Sequence, residues 1–132
     1  MVELAPIRVM LVDDQAVVRR GLRLLLQVFD DLTLVGEAAD GVEAVRLCAK
    51  LQPDVVLMDL IMPEMDGVMA TRIIHHRYPE VQIIVLSSFK DESMVQAALQ
   101  AGAVSHLSKT VTIDEIAAAI REAGNNKSKG IS

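Results

Sequence analysis

Tryptophan is absent from the 132 residues, which hold only one Tyr, two Phe and one Cys. A single thiol, Cys48, excludes an intramolecular disulfide framework and suits a reducing setting. It reads as a small apolar residue buried on a helix rather than as a reactive thiol. Basic residues are also short: 13 Lys and Arg stand against 18 Asp and Glu, a formal charge of −5. That balance argues against non-specific nucleic-acid binding by this segment itself. No apolar run approaches the roughly 18 to 20 residues of a membrane span. The start, MVELAPIRV, lacks the basic stretch and apolar block of a secretory signal. The expectation is a cytoplasmic chain with no membrane partner.

What is present is aliphatic. The hydrophobic content is 52%, in runs that suit parallel strands covered on both faces. Strand-like segments at 7–12, 32–37, 54–58, 82–87 and 103–107 alternate with helix-like ones at 15–28, 41–51, 67–77, 92–101 and 112 to about 123. Val18, Leu22, Leu25 and Val28 follow helical spacing in the first helix, as do Ile113, Ile116, Ala117 and Ile120 in the last. Asp40 with Glu43, and Thr112 with Glu115, make capping boxes. Pro53 and Pro79 stop helices, and Gly102 and Gly124 close them. Residues 1–124 then form one domain. Residues 125–132, NNKSKGIS, read as a flexible tail or the start of a linker. As a linker, the tail implies a natural protein that continues past residue 132. Five strand–helix units with short connections call for an α/β, flavodoxin-like (βα)5 fold. Its parallel sheet has order 2-1-3-4-5, with helices on both faces.

Asp13, Asp14, Asp59, Ser87 and Lys109 stand at or just beyond the C-terminal ends of four of those strands. That edge is where open α/β folds keep their chemistry, and the switch point lies between the first and third strands. Three crowded carboxylates repel one another, and a hard divalent cation resolves the repulsion. Mg²⁺ suits a site with few carboxylates, retained waters and phosphate oxygens. A carboxylate beside such a cation can act as a nucleophile toward phosphorus. Lys109 and the Ser87 hydroxyl would then meet phosphoryl oxygens.

The runs VMLVDD, PDVVLMDLIMPEMDG, IIVLS and AGAVSHLSK resemble the receiver domain of two-component response regulators, over roughly residues 6 to 123. The resemblance implies that Asp59 is the phosphoacceptor for a sensor histidine kinase. It implies that Asp14 ligates Mg²⁺ directly and Asp13 mainly through water, with Asp59 and the Ile61 carbonyl completing the protein ligands. Ser87 becomes the switch hydroxyl and Lys109 the phosphate-contacting amine. The domain would assist only its own phosphorylation and dephosphorylation, and would form homodimers when phosphorylated. The segment SKTVTIDEIAAAI and the GLRLLL run look like regulators with LuxR-type DNA-binding domains. DNA would then be bound only through an output domain outside this segment, in transcription regulation. The runner-up is a stand-alone receiver that docks a protein target.

Plainer readings stand beside these. Asp14 could cap the first helix, and Asp66 reads as the cap of the third. His75 and His76 read as a solvated face, Met58 as core, and Met62 and Met65 as packing beside the site. Ala97, Ala98 and Ala101 form a small-residue patch on the fourth helix, suited to repacking or docking, with an ordinary Ala-rich packing face as the plain alternative. An Asp-nucleophile phosphatase of the haloacid-dehalogenase type needs a second carboxylate two residues after the nucleophile, where this chain has Ile61. A dinucleotide cradle needs a Gly-rich turn after the first strand, where this chain has Asp-Asp-Gln.

Four positions depart from the family pattern. His106 occupies the place of a frequent aromatic, which implies weaker or pH-sensitive coupling to Ser87. Thr110 replaces the usual Pro after the Lys, so a cis Lys109–Thr110 bond would cost about 2.5–4 kcal/mol. Ile61 and Phe89 flank the path of a hydrolytic water and cannot hydrogen-bond it, which implies slow loss of the phosphoryl group.

Overall fold

The computed structural model describes residues 5–88 and 91–129. Five strands, β1 (Ile7–Val12), β2 (Leu32–Ala38), β3 (Val55–Asp59), β4 (Gln82–Ser87) and β5 (Ser105–Ser108), form one parallel sheet of order β2-β1-β3-β4-β5. Between and after them run α1 (Ala16–Gln27), α2 (Gly41–Leu51), α3 (Gly67–Arg77), α4 (Glu92–Ala101) and α5 (Ile113–Lys129). This is the expected flavodoxin-like arrangement.

Alternation along the strands sorts two cores. Met10, Val12, Val56, Met58, Ile83 and Val85 pack with Ala44, Cys48, Ala70, Ile74, Val95 and Ala98, so α2, α3 and α4 cover one face. Val9, Leu11, Val55, Leu57, Ile84 and Leu86 pack with Leu26, Ile116, Ala117, Ile120 and Ala123, so α1 and α5 cover the other. Each fully buried Leu or Ile is worth about 1.5–3 kcal/mol relative to exposure. Burial also pushes the Cys48 thiol up to about 12, consistent with an inert apolar role.

Helix starts follow the sequence cues. Asp40 accepts from the Glu43 N–H at 2.8 Å and Asp66 from the Met69 N–H at 2.9 Å. At α5 the Thr112 hydroxyl accepts from the Glu115 N–H at 3.1 Å, while the Glu115 carboxylate accepts from the Thr112 N–H at 3.4 Å. Two helix faces differ from expectation. Val28 is 69% exposed and Leu26 is the buried anchor of α1, because Leu22, Leu25, Leu26 and Phe29 make the inward stripe. Ile113 likewise points outward at the first turn of α5. The end of α5 differs too. Gly124 does not close it, and the helix continues to Lys129, so residues 125–129 are helical. Gly124 serves close packing instead: a Cβ there would meet the Ile7 side chain at 2.9 Å.

Candidate metal and phosphoryl site

Strand register brings the polar residues to one edge. Val12 pairs with Met58, Asp59 with Leu86, and Ser87 with Ser108, so β1, β3, β4 and β5 end nearly level. Asp13 continues β1 by donating its N–H to Ala38 O at 3.1 Å. Lys109 continues β5 by donating its N–H to Ser87 O at 2.9 Å. Beyond β3 the chain must turn back into α3. The Gly67 N–H bonds Leu60 O at 2.9 Å, and a Cβ on Gly67 would collide with Asp59 O and Leu60 Cα. Glycine here lets the loop close directly beneath Asp59.

One carboxylate oxygen from each of Asp13, Asp14 and Asp59 lies within 4.8 Å of the others. Asp13 is 1% exposed and Asp59 3% exposed, whereas Asp14 faces solvent. The Lys109 ammonium sits 2.9 Å from Asp59 Oδ1 and 4.0 Å from Asp13 Oδ2. Three carboxylates against one ammonium leave the pocket two negative charges in excess, matching a divalent cation. Asp14 makes no capping bond. Gln15 holds the N-cap position of α1 without a side-chain contact, so the plainer reading of Asp14 has no support.

Asp13 supplies a direct test of fit. Its Oδ1 accepts from the Gln15 N–H at 2.8 Å, while Oδ2, buried, has no hydrogen-bond partner. An orphaned, buried carboxylate oxygen facing two further carboxylates is what a cation site requires. All-oxygen donors suit a hard ion, and no thiolate or imidazole joins the cluster among the described residues.

Burial raises the Asp13 carboxyl above its ordinary value, against the opposing effects of the Gln15 N–H and Lys109. Burial raises Asp59 as well, with the Lys109 hydrogen bond and the Ile61 N–H pulling it back. Desolvation draws Lys109 down, but Asp59, Asp13 and Asp91 together outweigh it and leave the ammonium raised. The site is therefore strained electrostatically, and a cation would relieve it.

Ser87 is buried at the end of β4, and behind it opens a cavity of about 360 Å³ lined by Ser87, Ser88, Glu92, Val95, Gln96, His106 and Ser108. His106 stands on β5 with an exposed ring at the mouth of that cavity. Next to it, the Lys109–Thr110 bond is trans, and Thr110 bonds the Ser108 hydroxyl at 2.8 Å. Ile61 is 58% exposed just past Asp59, and Phe89 lies outside the described residues. Met62 is buried in the core beneath the loop, and Met65 packs against Gly41.

One group escaped sequence reasoning. The Arg19 guanidinium donates to the Asp13 carbonyl at 2.6 Å and pairs with Glu37 at 3.4 Å. Arg23 holds the same Glu37 through two bonds of 2.7 and 2.9 Å. The i, i+4 spacing of the two arginines was the visible signal; their shared partner on β2 was not.

Comparison with known proteins agrees with this geometry. The response regulator receiver domain family matches residues 9–121. The chain is 48% identical over 123 residues to the transcriptional regulatory protein LiaR of Bacillus subtilis, covering 93% of this chain and 58% of that protein. It is 40% identical over 122 residues to the response regulator protein VraR of Staphylococcus aureus, covering 92% and 58%. The chain thus spans a little over half the length of these curated relatives. The NarL signal receiver domain of Mycobacterium tuberculosis superposes with a TM-score of 0.87 at 31% identity, over 92% of this chain and 98% of that one. A LuxR-family two-component response regulator from Aurantimonas sp. SI85-9A1 gives 0.86 at 34% identity, over 92% and 87%. A parallel sheet of this order, an acidic triad at its switch point and a lysine on its fifth strand end thus meet a family match over most of the sequence: the chain belongs to the receiver domains of two-component response regulators.

Proposed function

We propose that Asp59 accepts a phosphoryl group from the phosphohistidine of a sensor histidine kinase. The carrying observation is the buried Asp59 carboxylate, 2.9 Å from the Lys109 ammonium and clustered with Asp13 and Asp14. An Asp59 oxygen forms the new O–P bond as the N–P bond of the donor breaks, and the electron pair leaves with the imidazole. Asp13, Asp14 and Asp59, with the Ile61 carbonyl, would hold Mg²⁺. When bound, that ion neutralises charge on the transferring oxygens. Lys109 stands where it can neutralise a further oxygen, and Ser87 can offer its hydroxyl from the neighbouring strand end. The domain assists only its own phosphorylation and dephosphorylation; no substrate is turned over.

The phosphoryl group then biases the β4–α4–β5 surface between two states, through Ser87 and Lys109. The cavity beside Ser87 leaves room for that rearrangement, with the smaller His106 ring at its mouth. The consequence is homodimerisation in the cytoplasm and control of an output DNA-binding domain beyond residue 132, with no DNA contact by this segment. The names and lengths of the curated relatives support the transcriptional reading over a stand-alone receiver. The receiver boundary near residue 124 falls within α5, so the helix itself would lead toward the output domain. No helix among the described residues is long and apolar enough to cross a membrane.

The test is the intact mass after incubation with acetyl phosphate and Mg²⁺. Uptake of one phosphoryl group, lost in Asp59→Asn, is expected; uptake that survives Asp59→Asn would sink the proposal.

A further inference from the structure

Asp13 is tied down at every polar atom but one. Its N–H is on Ala38 O at 3.1 Å, its Oδ1 on the Gln15 N–H at 2.8 Å and its carbonyl on the Arg19 guanidinium at 2.6 Å. Only Oδ2 is left without a hydrogen bond. The first two contacts come from the β ladder and the local turn, and neighbouring backbone provides them. The third reaches back from α1, six residues on, through a long side chain that is otherwise free to rotate. A guanidinium is held more firmly when a second donor is paired, and here its Nε lies 3.4 Å from the Glu37 carboxylate on β2. Glu37 is in turn clamped by the fork of Arg23 at 2.7 and 2.9 Å. The hydrogen bonds from Arg23 lower the Glu37 carboxyl from its ordinary value, so this chain of contacts stays charged at neutral pH.

The charge of Arg19 is not the active feature. The Glu37 carboxylate, 3.4 Å from its Nε, already pairs that charge. A bare cation beside a divalent-metal site would also oppose metal binding, and Glu37 offsets that charge. What Arg19 contributes is aim: it holds the peptide that carries Asp13 and leads into Asp14.

We infer that Arg19, locked by Glu37 and Arg23, is a positioning residue that orients the Asp13–Asp14 turn for a divalent cation. This rests on the reading of that pocket as a metal site. Outer contacts that orient metal ligands are generally worth about 10–100-fold in affinity. Arg19→Gln is therefore expected to weaken Mg²⁺ binding by about 10-fold, the lower end, because two other contacts to Asp13 remain. Glu37→Gln weakens it in the same direction but less. Arg19→Lys, which keeps a donor for the carbonyl and loses the fork, recovers part of the loss.

The measurement is Mg²⁺ titration of the 132-residue chain, followed by backbone amide NMR because there is no Trp to report on the site. A second readout needs no metal: hydrogen exchange of the Gln15 amide, which should quicken in Arg19→Gln while the Glu43 amide capped by Asp40 keeps its rate. Arg121→Gln is the matched control, since it breaks another paired guanidinium, on Asp31 at 2.7 and 3.0 Å, away from the pocket. The inference is overturned if folded Arg19→Gln binds Mg²⁺ with wild-type affinity, or if Arg121→Gln weakens binding equally. If Arg19→Gln does not fold, Glu37→Gln with unchanged affinity and unchanged Gln15 exchange overturns it. A wild-type chain that fails to bind Mg²⁺ would instead overturn the metal-site reading as a whole.

Discussion

Replacing Asp13 by Asn should stabilise the metal-free protein. In the wild type the Asp13 Oδ2 oxygen is buried without a hydrogen bond, and the Lys109 ammonium 4.0 Å away is already engaged with Asp59 at 2.9 Å. An unsatisfied buried polar group costs about 1–3 kcal/mol, more when charged. Asn keeps an oxygen for the Gln15 N–H, removes the charge and turns an amide donor toward the Asp14 and Asp59 carboxylates. A gain of about 1–3 kcal/mol at neutral pH follows, read as roughly 4–12 °C in Tm for a domain of this size. The pH dependence has a definite sign. Asp13 and Asp59 are both raised above 3.8, chiefly by burial. The folded protein thus holds protons that the unfolded chain has released, so these groups weaken it at neutral pH. Stability returns as pH falls through the raised folded values, completely once the unfolded value is passed. The advantage of Asp13→Asn should therefore shrink on acidification. Mg²⁺ should offset that advantage: at 100 times its Kd a ligand stabilises by about 2.7 kcal/mol, a gain the variant largely forgoes. Thermal unfolding by circular dichroism, with and without Mg²⁺ at two pH values, reads all of this. A variant less stable than wild type in the metal-free protein at neutral pH would refute the reasoning.

Gly67→Ala should destabilise by at least about 2 kcal/mol, because its Cβ would collide with the backbone at Asp59 and Leu60; denaturant unfolding with an unchanged midpoint would refute the packing argument. Glu64 holds a left-handed backbone, φ 64°, in the exposed loop after β3. Glu64→Gly should thus raise stability by about 0.5–1 kcal/mol, the steric relief being offset in part by glycine's extra unfolded-state freedom, and a lower Tm would contradict it. Ile61→Asn combined with Phe89→Glu should speed dephosphorylation in a phosphatase-free assay by giving a water hydrogen-bond partners; an unchanged decay rate would refute the proposed exclusion.

The fold was legible because each strand is a short aliphatic run and three of the five helices carry a start signal, so that Asp40, Asp66 and Thr112 cap where the sequence places caps. The pocket was legible because a parallel sheet brings strand ends together whatever the loops do. Tertiary contacts were not. Gly124 looks like a terminator in sequence, yet α5 runs on through it and the Ile7 side chain lies against it. Val28 continues an apolar period on paper, but Leu26 is the residue the sheet accepts. Arg19 and Glu37 are eighteen residues apart, and only the pairing of β2 beside β1 makes them neighbours.

The most direct measurement is the location of the phosphoryl group. An acyl phosphate is reduced by borohydride, and peptide mapping then identifies the carboxylate that carried it. After acetyl phosphate and Mg²⁺, reduction is expected at Asp59 alone, and none in Asp59→Asn. Reduction at Asp13 or Asp14, or a phosphoryl group that resists borohydride and maps to Ser87, would contradict it.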